Sequence, residues 1–178
     1  MTPEVPWGTA AKPLLGWAFK HLPTFIFKKF YNLRNLKDDI KIRLAFAALE
    51  TAKLAGKLRV PCFRVGLEVF NMSPYLDVYV RGVRAFLMVP AEGGVEDIVA
   101  DLDDWTNLDL PCGQSRGVHL KCWLNEFQMA VMSTPLKGGL SMRLYVVLHV
   151  ESRIGPIKPS KSLRISNPCG QETGVAAE

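Results

Sequence analysis

From Pro61 onward, apolar residues tend to fall at every second position. In residues 62–70, Phe63, Val65, Leu67 and Val69 alternate with Arg64, Gly66 and Glu68, the pattern of a strand with one buried face. Asn71-Met72-Ser73-Pro74 follows as a turn, since Pro74 fixes φ and the Asn71 and Ser73 side chains can bond local backbone. Residues 76–89 form a second long alternation whose phase shifts after Gly82, which predicts a bulge there. Pro90 to Gly94 is a turn, residues 95–107 a weaker strand, and Leu110-Pro111-Cys112-Gly113 another turn. Val118, Leu120, Cys122 and Leu124 then alternate with polar or outward residues. Residues 126–133 suit a short helix or a strand, and Pro135 to Gly139 a loop. Residues 140–150 read as a strand, and 154–165 as a last edge strand whose pairing Pro156 and Pro159 limit. Strands and turns without intervening helical repeats predict an antiparallel β-sandwich over residues 60–166.

Before Pro61 the period differs. Leu36, Ile40, Leu44, Ala47, Thr51, Leu54 and Leu58 recur at three- and four-residue steps, which predicts an amphipathic helix over about residues 33–58. Residues 13–31, PLLGWAFKHLPTFIFKKFY, mix bulky apolar groups with cations, and Pro23 interrupts any helix there. Such a segment suits a membrane interface, with lysine stems along the apolar zone and ammonium groups at the headgroups. Trp17, Phe19, Lys20, Phe25, Phe27, Lys28, Lys29 and Phe30 are the expected contact residues, for a membrane or a partner subunit. Residues 1–59 thus read as a basic N-terminal arm, and 167–178 as a flexible tail.

Charge sharpens this division. The chain of 178 residues carries a net +5. Residues 1–60 hold eleven Lys/Arg against four acids, and the remainder eleven against thirteen. The basic character therefore belongs to the arm, which favours an anionic membrane surface or other protein subunits, further copies of this chain in a homo-oligomer among them. Nucleic acid is disfavoured, because Phe, Leu and Ile are poorer stacking surfaces than Tyr and Trp. Cys62, Cys112, Cys122 and Cys169 form neither a C-x-x-C pair nor a disulfide framework. Reduced thiols, no secretory leader pattern and no apolar run long enough to span a bilayer lead to the expectation of an intracellular, peripheral or assembly-bound protein.

Leu67-Glu-Val-Phe-Asn-Met-Ser-Pro, then Val80-Arg-Gly-Val-Arg-Ala-Phe-Leu, resembles the late-embryogenesis-abundant group 2 family, or water-stress and hypersensitive-response domain. The step Leu110-Pro111-Cys112-Gly113 into Val118-His-Leu and the final strand pair also resemble it, over about residues 60–166. Asn71 and Pro74 stand apart here, where many members place Pro directly after Asn, and the acidic stretch 96–109 is long. The resemblance implies an immunoglobulin-like sandwich of about seven strands, an association with stress, and no family active site.

Candidate catalytic chemistry is sparse. Gly113-Gln-Ser115-Arg-Gly117 matches G-x-S-x-G, with Glu126 and His149 following in hydrolase order, but a nucleophile elbow needs a helix after the serine and the sequence continues in strand period. Asp97, Asp101, Asp103, Asp104 and Asp109 lack the central glycine and terminal glutamate of an EF-hand loop. His119 and Cys122, three apart on a strand, face opposite ways. No metal or cofactor site is expected. The reading is a non-enzymatic binding or structural sandwich, held peripherally at a membrane by its arm. Its alternative is a structural subunit of a larger assembly, such as a virion, with the arm packing on neighbours.

Overall fold

The computed structural model describes residues 31–54, 58–91, 95–137 and 141–166, with 23, 24, 26 and 28 ahead of them. The element order is α1 (Leu33–Asp39), β1 (Ile40–Leu54), β2 (Leu58–Asn71), β3 (Val78–Pro90), β4 (Glu96–Asp104), β5 (Leu108–Leu110), β6 (Ser115–Trp123), α2 (Glu126–Lys137), β7 (Met142–Ser152), β8 (Gly155–Ile157) and β9 (Ser160–Ile165). Every pairing is antiparallel. One sheet runs β1-β2-β6. In the other, β3 and β7 are neighbours; β4 and β5 share the far side of β3, and β8 and β9 the far side of β7. The nine strands among the described residues therefore occupy seven lanes of a mainly β sandwich. The last lane breaks at Lys158-Pro159, where the Pro159 carbonyl still accepts the Leu148 N–H at 2.9 Å.

The helix expected over residues 33–58 does not form. α1 ends at Asp39, and residues 40–54 are β1, paired with β2 from Ile40 opposite Asn71 to Leu54 opposite Leu58. A register shift between Leu44 and Phe46 explains the misleading period. Ile40, Ile42 and Leu44 face the core, Ala45 is the extra residue, and Ala47 and Leu49 take up the inward phase again. A bulge inserted into period two leaves Ile40, Leu44 and Ala47 spaced by four and three, as on a helix. The sheet thus begins at Ile40, and an arm boundary at residue 59 would cut through the first hairpin.

The core lies between the two sheets. Phe63, Val65, Leu67 and Val69 of β2, Val83, Ala85 and Leu87 of β3, and Leu144, Val146 and Leu148 of β7 are all buried within it. Removing the larger of these side chains from water contributes ~1.5–3 kcal/mol each. The bulge expected at Gly82 is present as a register shift between Val80 and Gly82 against β7. It lets Val80 and Val83 both point inward although they are three apart.

At one end of the sandwich, buried Asn71 ties three segments together. Its Nδ2 donates to the carbonyls of Leu76 at 2.7 Å and Leu110 at 3.0 Å, and its Oδ1 accepts the Ser73 N–H at 3.1 Å. Ser73 Oγ accepts the Leu76 N–H at 3.2 Å. Gly113, at φ +72°, closes the facing turn and donates its N–H to the Asn71 carbonyl at 2.8 Å. At the other end, α2 crosses from one sheet to the other. Asn125 and Gln128 cap it reciprocally at 2.8 Å, and buried Met132 anchors it. The helix runs to Lys137, past the Pro135 where a loop was expected. A proline late in a helix removes one N–H bond but has a helix-compatible φ.

Candidate binding surfaces

Among the expected contact residues, Trp17, Phe19, Lys20, Phe25, Phe27, Lys29 and Phe30 lie outside the described residues, as does the tail 167–178. Lys28 is described and exposed. Tyr31 is where this segment meets the body: it is buried, packs edge-on against Tyr75 at 6.0 Å, and donates its hydroxyl to Asp39. Burial and that carboxylate partner hold its phenol far above the usual tyrosine range. No helix among the described residues is long and apolar enough to cross a membrane.

Cations continue from this anchor onto the body. Arg34 and Lys37 on α1, and Lys41 and Arg43 on the outer face of β1, are all exposed. The side of β1 away from β2 faces the last lane of the opposite sheet. Lys161 of β9 reaches across this seam and donates from Nζ to the Ile42 carbonyl at 3.0 Å. Beside it lies a cleft of about 250 Å³, lined by Lys37, Asp38, Lys41, Ser160 and Lys161 around Ile40, Ile42 and Pro159.

The two outward sheet faces share one motif. On β2, the Phe46 ring lies over Gly66, and His119, opposite Gly66 on β6, meets that ring at 5.7 Å. On β3, Trp105 lies over Gly82, where an added Cβ would be 2.7 Å from Cε3, and His149, opposite Gly82 on β7, meets its ring at a tilt with centroids 5.3 Å apart. An aromatic over a strand glycine supplies the packing that the missing side chain cannot. Cations flank both: Lys121 lies 4.0 Å from the Trp123 ring centre, and Arg84 4.9 Å from that of Phe86. Trp105, Trp123 and Tyr145 are at the surface.

A second groove runs between β4 and α2, lined by Asp97, Ile98, Val99, Phe127, Gln128 and Val131. Ile98 and Phe127 are exposed there. Gln128 donates to the Val99 carbonyl at 2.8 Å and so covers part of the β4 edge.

The residues with catalytic spacing are dispersed or engaged. Ser115 opens β6 rather than a helix, and its hydroxyl donates to Glu68 at 3.1 Å. In the acidic stretch, Asp101 is paired with Arg84, which holds its carboxyl below the usual range, and Glu96 with Arg143 at 3.1 Å. No group of three or more metal-ligating side chains occurs among the described residues. Cys62 and Cys122 are free thiols, and burial raises the pKa of both.

No protein-family model and no curated protein matches the chain. Among solved structures, the chain is similar to a Northeast Structural Genomics Consortium target, SoR45, at 11% identity and TM-score 0.48, covering 75% of this chain and 90% of that one. It is also similar to the ApaA protein from Bordetella pertussis at 9% identity and TM-score 0.44, covering 73% and 94%. A structure assigned to the late-embryogenesis-abundant proteins matches at 11% identity and TM-score 0.37, covering 89% and 86%.

Proposed function

We propose that this protein is a non-enzymatic binding module that attaches to an anionic membrane surface through residues 13–31 and the cationic end of the sandwich they lead into. The observation that carries the reading is the run of exposed cations Lys28, Arg34, Lys37, Lys41 and Arg43, none of them paired with a carboxylate among the described residues. Each cation near an anionic leaflet contributes ~1 kcal/mol, which falls with salt. Apolar side chains of the arm would add area-dependent binding. An intracellular, peripheral location and membership of the water-stress and hypersensitive-response family belong to the same reading; the turns at Asn71–Pro74 and Leu110–Gly113 support the latter. The test is flotation of the full chain with phosphatidylcholine vesicles containing phosphatidylserine, with and without residues 1–30. Capture that is salt-sensitive and lost on truncation is expected; equal flotation of both forms, or none, would overturn the proposal.

One observation favours a second reading, a structural subunit of a larger assembly such as a virion. The groove between β4 and α2 exposes Ile98 and Phe127 beside Asp97, a surface complementary to an apolar, cationic arm of another copy. A full-length chain that stays monomeric by light scattering across concentrations would rule against it.

A further inference from the structure

We infer that the cleft between β1 and β9 is a binding site for a phosphate monoester dianion. The inference deepens the surface-binding proposal by giving it a headgroup, and rests on that reading for its biological setting. Three ammonium groups line the cleft against one carboxylate, Asp38. That leaves a local excess of +2, matched by a dianion. The volume, about 250 Å³, far exceeds the ~15 Å³ that one water requires, so a small hydrated anion enters.

The donors are of several kinds. Lys161 pairs with buried Val146 in the β7 register, and its side chain crosses the seam to the Ile42 carbonyl. An ammonium has three donors, so two remain for a ligand. In a strand, N–H and C=O of one residue point to the same side, so the Ile42 N–H faces the seam with its carbonyl. The Ile40 N–H, two residues earlier on that side, is already given to the Leu36 carbonyl. Ser160 brings a hydroxyl. Ile40, Ile42 and Pro159 are buried beneath this rim, and an apolar floor strengthens the field of the lysines above it. A tetrahedral dianion offers several acceptor oxygens to such a ring, and lysine serves as a point-charge phosphate binder.

The experiment titrates the full chain with inorganic phosphate near neutral pH at low salt, followed by amide NMR. A saturable shift centred on Ile42, Ser160 and Lys161 is expected, weakened about tenfold, or ~1.4 kcal/mol, in either Lys161→Gln or Lys41→Gln. Lys41 is exposed on a strand surface, so its variant keeps the test valid if loss of the Lys161 strut disturbs the seam. Parallel flotation compares phosphatidic acid with phosphatidylserine vesicles. A preference for phosphatidic acid that Lys161→Gln abolishes assigns the phosphoryl group to a lipid. A phosphate shift without that preference assigns it to a soluble ester. No saturable shift, or one that both variants leave unchanged, overturns the site. Absence of flotation, or equal flotation with and without residues 1–30, leaves the phosphate titration intact, so each proposal can fail without the other.

Discussion

Replacing Asn71 should show how much of the sandwich's stability resides in one polar side chain. It is buried, and its three side-chain hydrogen bonds join the β2–β3 turn to the end of β5. Truncation to alanine removes all three, at ~1 kcal/mol each. It also strips the Leu76 and Leu110 carbonyls of these donors in a site shielded from water, which raises the expected loss to ~3–4 kcal/mol. Asn71→Asp has the same shape and still accepts from Ser73, but turns the donor into an oxygen facing two carbonyls. Burial and those carbonyl dipoles would raise the carboxyl pKa above its unfolded value of ~3.9. A raised folded pKa means that the stability present below the unfolded value is lost as pH rises through the folded one. The aspartate variant should therefore be at least as damaged as the alanine variant at neutral pH and recover relative to wild type in acid. Urea unfolding followed by tryptophan fluorescence, at neutral pH and at about pH 4.5, measures both effects. An alanine variant that loses less than ~1 kcal/mol, or an aspartate variant whose deficit does not shrink in acid, would refute the assignment.

Gly66→Ala places a methyl group in the Phe46 ring and should cost ~1–3 kcal/mol. Combining it with Phe46→Ala should cost clearly less than the sum of the two single changes, as a double-mutant cycle in urea would report. The Arg84–Asp101 pair depresses the Asp101 pKa, so its contribution is present above the unfolded aspartate value and fades as pH falls through the folded one. Because both side chains are about half exposed, Asp101→Asn should remove less than ~1 kcal/mol at neutral pH, with the difference vanishing in acid unfolding curves.

Strands whose burial follows a simple alternation were legible in the sequence. Cys62 to Phe70 lies in β2, the shift at Gly82 is a bulge, and the Asn71 and Ser73 side chains do bond local backbone. β1 was not legible, because the extra residue at Ala45 disguises two short alternations as one helical stripe. The cleft was illegible for another reason. Lys161 meets Ile42 across 119 positions of chain, and only the stacking of two sheets brings their edges together. The paired histidines also needed the register: His119 and His149 gain significance only once each is opposite a glycine. The expected arm contacts other than Lys28 lie outside the described residues.

The irregularity at Ala45 bears on how the molecule avoids self-templating. β1 is a long strand at the margin of its sheet, and such a strand invites a second copy to zip alongside it. A partner running straight along β1 would have to repeat the same one-residue offset or forfeit its pairing on one side of it. Lys161 seated on the Ile42 oxygen removes one docking point as well. The kink that made this stretch look helical thus also guards the margin against polymerisation.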